Sequence, residues 1–407
     1  MNNILRSSIG LILFVSAISG HAYSGTDSSP KERGGEFSSA AAVEQLFQRG
    51  RSYAQKKQYD KAVGAFTDAL SYGQFTFEIL IARSLSYLEL QQYDAALEDA
   101  SNAIKLRPKN PLGYMMRASI YGRMDRVQDA IDDATRGIEA NPTIGEYYAT
   151  RAAGYLRIGE LGKALNDLTA AIALGENDVL VYLDRGLTLK RLGRYEEAIR
   201  DYSKALELSP SDYRGLMRRG NLYRCLGQYR KAVSDFTAIL VQKPDDLEAR
   251  LQRAAAYTEA QDFRGALADL TYGVEHGFKD TYMYLNLAYV QYRIGDLGKA
   301  FLANEKALAL ADEFVRPIVY FQNGLLLLIA GQTNDAQKAY DNGRALAEAA
   351  LNVDGLEDGI QDLREALNLN RAVQDIAINI LNQLERMRQK IAPYAKPSQG
   401  RCRKLRI

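Results

Sequence analysis

From residue 43 the apolar and polar positions fall into two helical phases separated by a short polar break, and the whole pattern returns every 34 residues. Ala62, Ala96, Ala130, Ala164, Ala198, Ala232, Ala266 and Ala300 keep this spacing without slippage. Twelve residues before each stands a small residue: Gly50, Ser84, Ala118, Ala152, Gly186, Gly220, Ala254 and Ala288. Three residues further on most units carry a large side chain, Tyr53, Tyr87, Tyr121, Tyr155, Leu189, Tyr223 and Tyr257. Pro108, Pro142, Pro210 and Pro244 close four units. Each unit therefore predicts helix A, a tight turn and helix B. Gly159, Gly193, Gly227 and Gly295 mark turns where a positive φ costs little. The small residue on helix A and the alanine on helix B let the two backbones approach closely.

One such pair cannot bury its apolar face alone, and stacking the pairs makes the core continuous. These residues resemble the tetratricopeptide-repeat family over roughly residues 43 to 350. The frames open at Val43, Phe77, Pro111, Gly145, Val179, Tyr213, Leu247 and Thr281. A ninth opens near Pro317 after a two-residue slip and keeps Gly324, Gly331, Ala336 and Tyr340 in register. The resemblance implies an all-α fold, a right-handed α-solenoid of about nine helix-turn-helix repeats with a C-terminal capping segment. The family's aromatic opener is Tyr at 114, 148 and 182, but Arg250 replaces it in the seventh unit. A local change of packing is expected there.

The flanks differ in kind. Met1–Arg6 is positively charged, Ile9–Ile18 is apolar, and Gly20-His21-Ala22 places small residues before a cut that frees Tyr23. The apolar run is shorter than the roughly 20 residues a membrane span needs. A signal peptide over 1–22 is expected, not an anchor, and a secreted or periplasmic chain without a transmembrane segment. Residues 23–42 read as a flexible lead-in. In 351–392, Ile360, Leu363, Leu367, Val373, Ile376, Ile380, Leu384, Met387 and Ile391 keep helical spacing, with Asn368 and Asn370 as a break. A cap over the last repeat is favoured over a dimerising coiled coil. Residues 393–407 form a basic tail with Lys396, Arg401, Arg403, Lys404 and Arg406.

A net charge of +2 gives no reason to expect nucleic acid. Two cysteines, Cys225 and Cys402, leave pairing open, and His276 is the single histidine after cleavage. That supports neither a metal site nor a catalytic triad, and no glycine-rich phosphate loop follows a strand. No cofactor or catalytic activity is expected.

A second 34-residue series runs through Arg49, Arg83, Arg117, Arg151, Arg185, Arg219 and Arg253 on helix A. Asp99, Asp133, Asp167, Asp201, Asp235 and Asp269 answer it on helix B, and the eighth unit loses both, with Leu287 and Ala303. A row of arginines invites an anionic ligand. The matching aspartates favour a structural ladder that fixes registry, each arginine meeting the aspartate of its own unit or of the next.

In the resembled family helix A lines the concave face, so the second, fifth, sixth, ninth, twelfth and thirteenth places of each unit are expected to meet a partner. They give an apolar zone, Ile81, Leu85, Met115 and Met116, and a basic zone, Lys190, Arg191, Arg214, Arg218 and Arg224 with Asn221. A third, aromatic zone holds Tyr282, Tyr289, Tyr292 and Phe321 with Asn286 and Arg293. These suit an extended protein or peptide segment carrying apolar and acidic residues. An acidic polysaccharide is the alternative, and an ordinary solvated helix face the plainer one. The carboxylate clamp of the family's cochaperones is not reproduced. Phe47, Arg51 and Ala82 stand at its places in the first two units, and Met217 replaces lysine beside Asn221 in the sixth.

Overall fold

The computed structural model describes residues 36–350, 352–367 and 374–394. The expected signal peptide, most of the lead-in and residues 395–407 of the tail, Cys402 included, lie outside them. Every regular element among the described residues is a helix. The first five pairs are α1 Glu36–Gln55 with α2 Tyr59–Leu70, α3 Thr76–Glu89 with α4 Tyr93–Leu106, α5 Pro111–Arg123 with α6 Val127–Ala140, α7 Gly145–Ile158 with α8 Leu161–Ala173, and α9 Val179–Arg191 with α10 Tyr195–Leu208. Next come α11 Tyr213–Cys225 with α12 Tyr229–Gln242, α13 Leu247–Glu259 with α14 Phe263–Glu275, α15 Thr281–Arg293 with α16 Leu297–Leu310, and α17 Arg316–Ile329 with α18 Thr333–Ala349. Two more helices follow, α19 Val353–Leu367 and α20 Gln374–Ile391. The chain divides into two compact units, residues 1–210 and 211–407. In each, partners within a repeat pack together and helix B packs on the next helix A. Helix α1 begins at Glu36, seven residues before the first frame and inside the stretch expected to be a lead-in. Ala40, Ala41 and Ala42 are strong helix formers that extend it.

Complementary sizes join the helices of each repeat. Where helix A carries glycine at the eighth place, helix B carries an aromatic ring at the twenty-fourth. A methyl added at Gly50 would lie 2.4 Å from Phe66, and at Gly186, Gly220 and Gly324 it would lie 2.6–2.8 Å from Tyr202, Phe236 and Tyr340. Where the eighth place is larger, the opposite side chain shrinks: Ser84 meets Ala100, Ala118 meets Ala134, and Ala152 and Ala254 meet Leu168 and Leu270. Two positions that vary together thus share the filling of the core.

The A–B turn has the same backbone in all nine repeats. Its fifteenth place has positive φ at Lys57, Gln91, Asp125 and Gln261 (58° to 63°) as well as at Gly159, Gly193, Gly227, Gly295 and Gly331. Helix A starts are also periodic. Asn110, Asp178, Asp212, Asp246 and Asp280 each accept a hydrogen bond from the first turn.

The Arg–Asp ladder closes within each repeat. Arg83, Arg117, Arg151, Arg185, Arg219 and Arg253 each donate Nε and Nη2 to both oxygens of Asp99, Asp133, Asp167, Asp201, Asp235 and Asp269, at 2.6–2.9 Å. The aspartates are 2–6% exposed. Nη1 reaches back to the preceding helix B, to Thr67, Ser101, Thr135 and Thr237 at 2.9–3.3 Å. A hydroxyl row at 34-residue spacing thus couples neighbouring repeats. Arg49, opposite Ala65, instead stacks 5.7 Å over Tyr53. The seventh repeat shows the expected change at Arg250. Its guanidinium donates to Pro244 O at 2.8 Å, as the Tyr148 hydroxyl does to Pro142 O at 3.2 Å, and it lies 3.5 Å over Tyr272.

The eighth repeat lacks the ladder, and Leu287 and Ala303 are buried. Two side-chain amides take over: Asn304 Nδ2 donates to Val319 O (3.5 Å) and Gln322 Nε2 to Leu285 O (2.9 Å). Their oxygens, and Gln291 Oε1, are buried without a hydrogen-bond partner. The ninth repeat is covered by α19, which lies mainly on α17, and by α20, which lies on α18. Ile360, Leu363, Ile380, Leu384 and Ile391 are each at most 2% exposed in one cluster with Phe321 and Tyr340. The apolar row predicted in this segment, apart from Val373, which lies outside the described residues, is spent within the chain, as a cap.

Candidate functional site

On helix A the second, sixth, ninth and thirteenth places follow helical spacing and share one face. In the unit from residue 211, α11 packs on α13 and α13 on α15. Asp212 fixes the start of α11 by accepting from Gly215 N at 2.9 Å, and its other oxygen pairs with Arg214 at 3.3 Å. Arg224 pairs with Glu259 of α13 at 2.9 Å. Both arginines are therefore partly neutralised. Arg218 and Asn221 complete the face of α11, both half-buried.

On α15, Tyr282 is 42% exposed and its carbonyl accepts from Asn286 Nδ2 at 2.9 Å. Tyr289 and Tyr292 meet edge to face, with ring centroids 6.2 Å apart. Arg293 donates to the Tyr289 hydroxyl and stacks 4.5 Å over Phe263. Between these helices α13 contributes Glu248, Gln252 and Ala255. Gln252 donates to Glu248 at 2.9 Å. Ala255 shares the ninth place with Asn221 and Tyr289, so two large polar side chains stand on either side of a small one. Glu259 was missed in the sequence because it breaks the arginine series of the thirteenth place (Arg123, Arg157, Arg191 and Arg293), and Gln252 and Ala255 because they are neither charged nor aromatic. Burial pushes the Tyr213 hydroxyl up to about 12, helped by Asp246 and Glu248.

Lys190 and Arg191 belong to the other unit, on α9. Lys190 is half-buried, and Arg191 is exposed with Nη1 at 3.5 Å from Leu156 O. Arg157 reaches Gly122 O at 3.1 Å from the same thirteenth place. These arginines cap the C-terminal end of the preceding helix A, where carbonyls lack partners.

The expected apolar zone is corrected. Ile81, Met115 and Met116 are at most 1% exposed and Leu85 is 7% exposed. The fifth place turns toward helix B and the next repeat, and Met115 packs with Ile138 and Tyr147. Phe321 is likewise core, 1% exposed, with its ring against Tyr340 and the α19 backbone at Gly359. Another carboxylate stands out at the second place of the fourth repeat. Burial, with Glu176 adding like charge, pushes Glu146 up to about 7.

Residues 47–111, 81–143 and 179–212 match family models described as tetratricopeptide repeat. No curated protein matches the chain. Among solved structures, a tetratricopeptide repeat protein from Parabacteroides merdae is similar at 23% identity, covering 58% of this chain and 94% of its own, with a TM-score of 0.43. YrrB, a TPR protein with an unusual peptide-binding site, is 18% identical over 46% of this chain and 96% of its own, with a TM-score of 0.43. The Thermus thermophilus TPR protein TTC0263 is 24% identical over 44% of this chain and 98% of its own, with a TM-score of 0.39. The repeat geometry and the family models agree: the chain carries tetratricopeptide repeats over residues 47–143 and 179–212, a fold of the kind that scaffolds protein and peptide binding.

Proposed function

We propose that this chain is a non-enzymatic adaptor that holds an extended peptide on the helix A face of its second unit. The observation that carries the reading is the shared register of Asn221, Ala255 and Tyr289 on three successive A helices. The small residue leaves room above α13, and the amide and the phenol stand on either side. Arg218 adds positive charge, while Asn286, Tyr282 and Tyr292 extend the polar and aromatic surface. Arg214 and Arg224 sit beside acids that a peptide carboxylate would compete with. The ligand chemistry that fits is an uncoiled segment with apolar and acidic side chains, its backbone met by asparagine. The same reading places the chain in an exported compartment, on the strength of Met1–Ala22.

Selection from a random peptide library against the purified chain tests this. Enriched peptides should carry acidic and apolar residues and bind Arg218→Glu/Tyr289→Ala roughly tenfold more weakly, a change of about 1.4 kcal/mol. Equal binding by the variant overturns the site. Failure to select any peptide, with retention on an acidic polysaccharide column, would favour the polymer reading. Mass spectrometry of the exported chain should show Tyr23 as its first residue.

A further inference from the structure

Between α1 and α3, in the first unit, lies a small half-open cleft lined by Ala54, Phe66, Ile81, Ala82 and Leu85, with Arg51 among the residues around it. Its origin is a size difference at one register place. The sixth place of the third repeat is Met116, which is fully buried and fills the corresponding space against Ile81 and Leu85. In the second repeat the same place is Ala82. Ala54 on the facing helix is also small, so the space beside the Phe66 ring stays open. The walls are apolar and the neighbouring charge is positive.

The other unit carries a matching protrusion. The two residues that slip the ninth repeat out of the 34-residue period lie in the turn between α16 and α17. This turn is fastened at several points. Asp312 Oδ1 accepts from Phe314 N and Val315 N at 3.0 and 2.8 Å, Arg316 donates to Ala311 O at 2.7 Å, and Asn352 donates to Phe314 O at 2.6 Å. The held turn presents Phe314 57% exposed, more than any other aromatic side chain among the described residues. Asp312 and Glu313 precede it, both exposed. An aromatic ring on a pre-ordered backbone has the properties of an interface anchor, since little conformational freedom remains to be lost.

We propose that Phe314 of one copy of this chain docks over the Ala82 cleft of a second copy, with Asp312 and Glu313 facing Arg51. Knob and cleft belong to different elements of the chain, so the contact is heterologous and propagates from copy to copy. It shares no residue with the peptide face proposed on the second unit, so either proposal can fail alone.

The test is sedimentation equilibrium of the chain, purified as its host produces it, up to roughly 1 mM, because one anchor side chain makes a weak contact. The weight-average mass should rise above that of a monomer as concentration increases. Phe314→Ala should abolish the rise. Ala82→Met, which fills the cleft as Met116 does in the next repeat, should abolish it too, with circular dichroism and melting temperature confirming the fold. Mixing the two variants should restore association but stop at a one-to-one pair, because each retains one half of the contact. Should Ala82→Met fold poorly, Arg51→Glu is the substitute, expected to weaken association roughly tenfold and to be rescued by Glu313→Arg. A wild-type chain that stays monomeric throughout overturns the proposal, as does association that survives either Phe314→Ala or the cleft substitutions.

Discussion

Repeats two to seven and repeat eight solve the same packing problem with different chemistry. In the former a buried Arg–Asp pair closes each repeat, and in four of the six the arginine's third nitrogen is seen to reach the preceding helix B. In the latter Leu287 and Ala303 replace the pair, and neutral amides link it to the ninth repeat, Asn304 donating forward and Gln322 donating back. The ladder supplies directional contacts that define one registry, and it makes each arginine dependent on its aspartate. The amide junction has no such dependence, but it leaves acceptor oxygens buried and unpaired. Apolar contacts among Tyr284, Leu285, Ala307, Val315 and Val319 carry that junction instead.

The sharpest way to break the comparison is to remove one acid. Asp235→Ala takes from half-buried Arg219 the carboxylate it holds with two hydrogen bonds, and urea denaturation should show a loss of about 3–5 kcal/mol. Gly220→Ala comes next. The added methyl would meet the Phe236 ring at 2.8 Å, with an expected cost of about 1–3 kcal/mol. Adding Phe236→Leu, which recreates the Ala/Leu pairing of the fourth and seventh repeats, should recover most of it. If the double variant is no better than the single one, size complementarity is not what joins the helices.

In the eighth repeat the sign reverses. Gln291→Leu, copying Leu189 of the fifth repeat, removes an unpaired buried oxygen and should raise stability by about 1 kcal/mol. Gln261→Gly relieves a positive φ of 63° in the seventh turn and should add about 0.5–1 kcal/mol. The last test changes the pH profile. Glu146 has a folded value near 7, above its ordinary range, so the fold binds a proton that the unfolded chain releases. Its contribution is therefore present in acid and is lost as pH rises toward and through 7. Glu146→Gln should flatten stability across that window, and an unchanged slope would show that the carboxyl is not desolvated.

Much of this was legible in the chain. The 34-residue alanines located the first eight helix pairs, because a solenoid repeats one local solution from unit to unit. The Arg and Asp series announced a ladder, yet both same-repeat and next-repeat pairing fitted the spacing. The hydroxyl row at Thr67, Ser101, Thr135 and Thr237 was equally periodic, but only the third arginine nitrogen gives it meaning. The candidate site was less readable. Lys190, Arg191, Arg214, Arg218, Asn221, Arg224, Tyr282, Asn286, Tyr289 and Tyr292 do lie on A helices, and the charge state of several depends on partners far away in sequence. Glu259, which answers Arg224, is 35 residues downstream.

The sequence by itself determined the repeat, its period and the places where glycine or a small residue had to stand. Those follow from contacts made within one 34-residue unit or repeated identically in the next. Tertiary structure alone decided whether Ile81, Met115, Met116 and Phe321 faced a partner or the core. It also decided which acid each arginine met, and that α19 and α20 closed the last repeat. Helical spacing puts a residue on a face, but what lies against that face is set by another part of the chain.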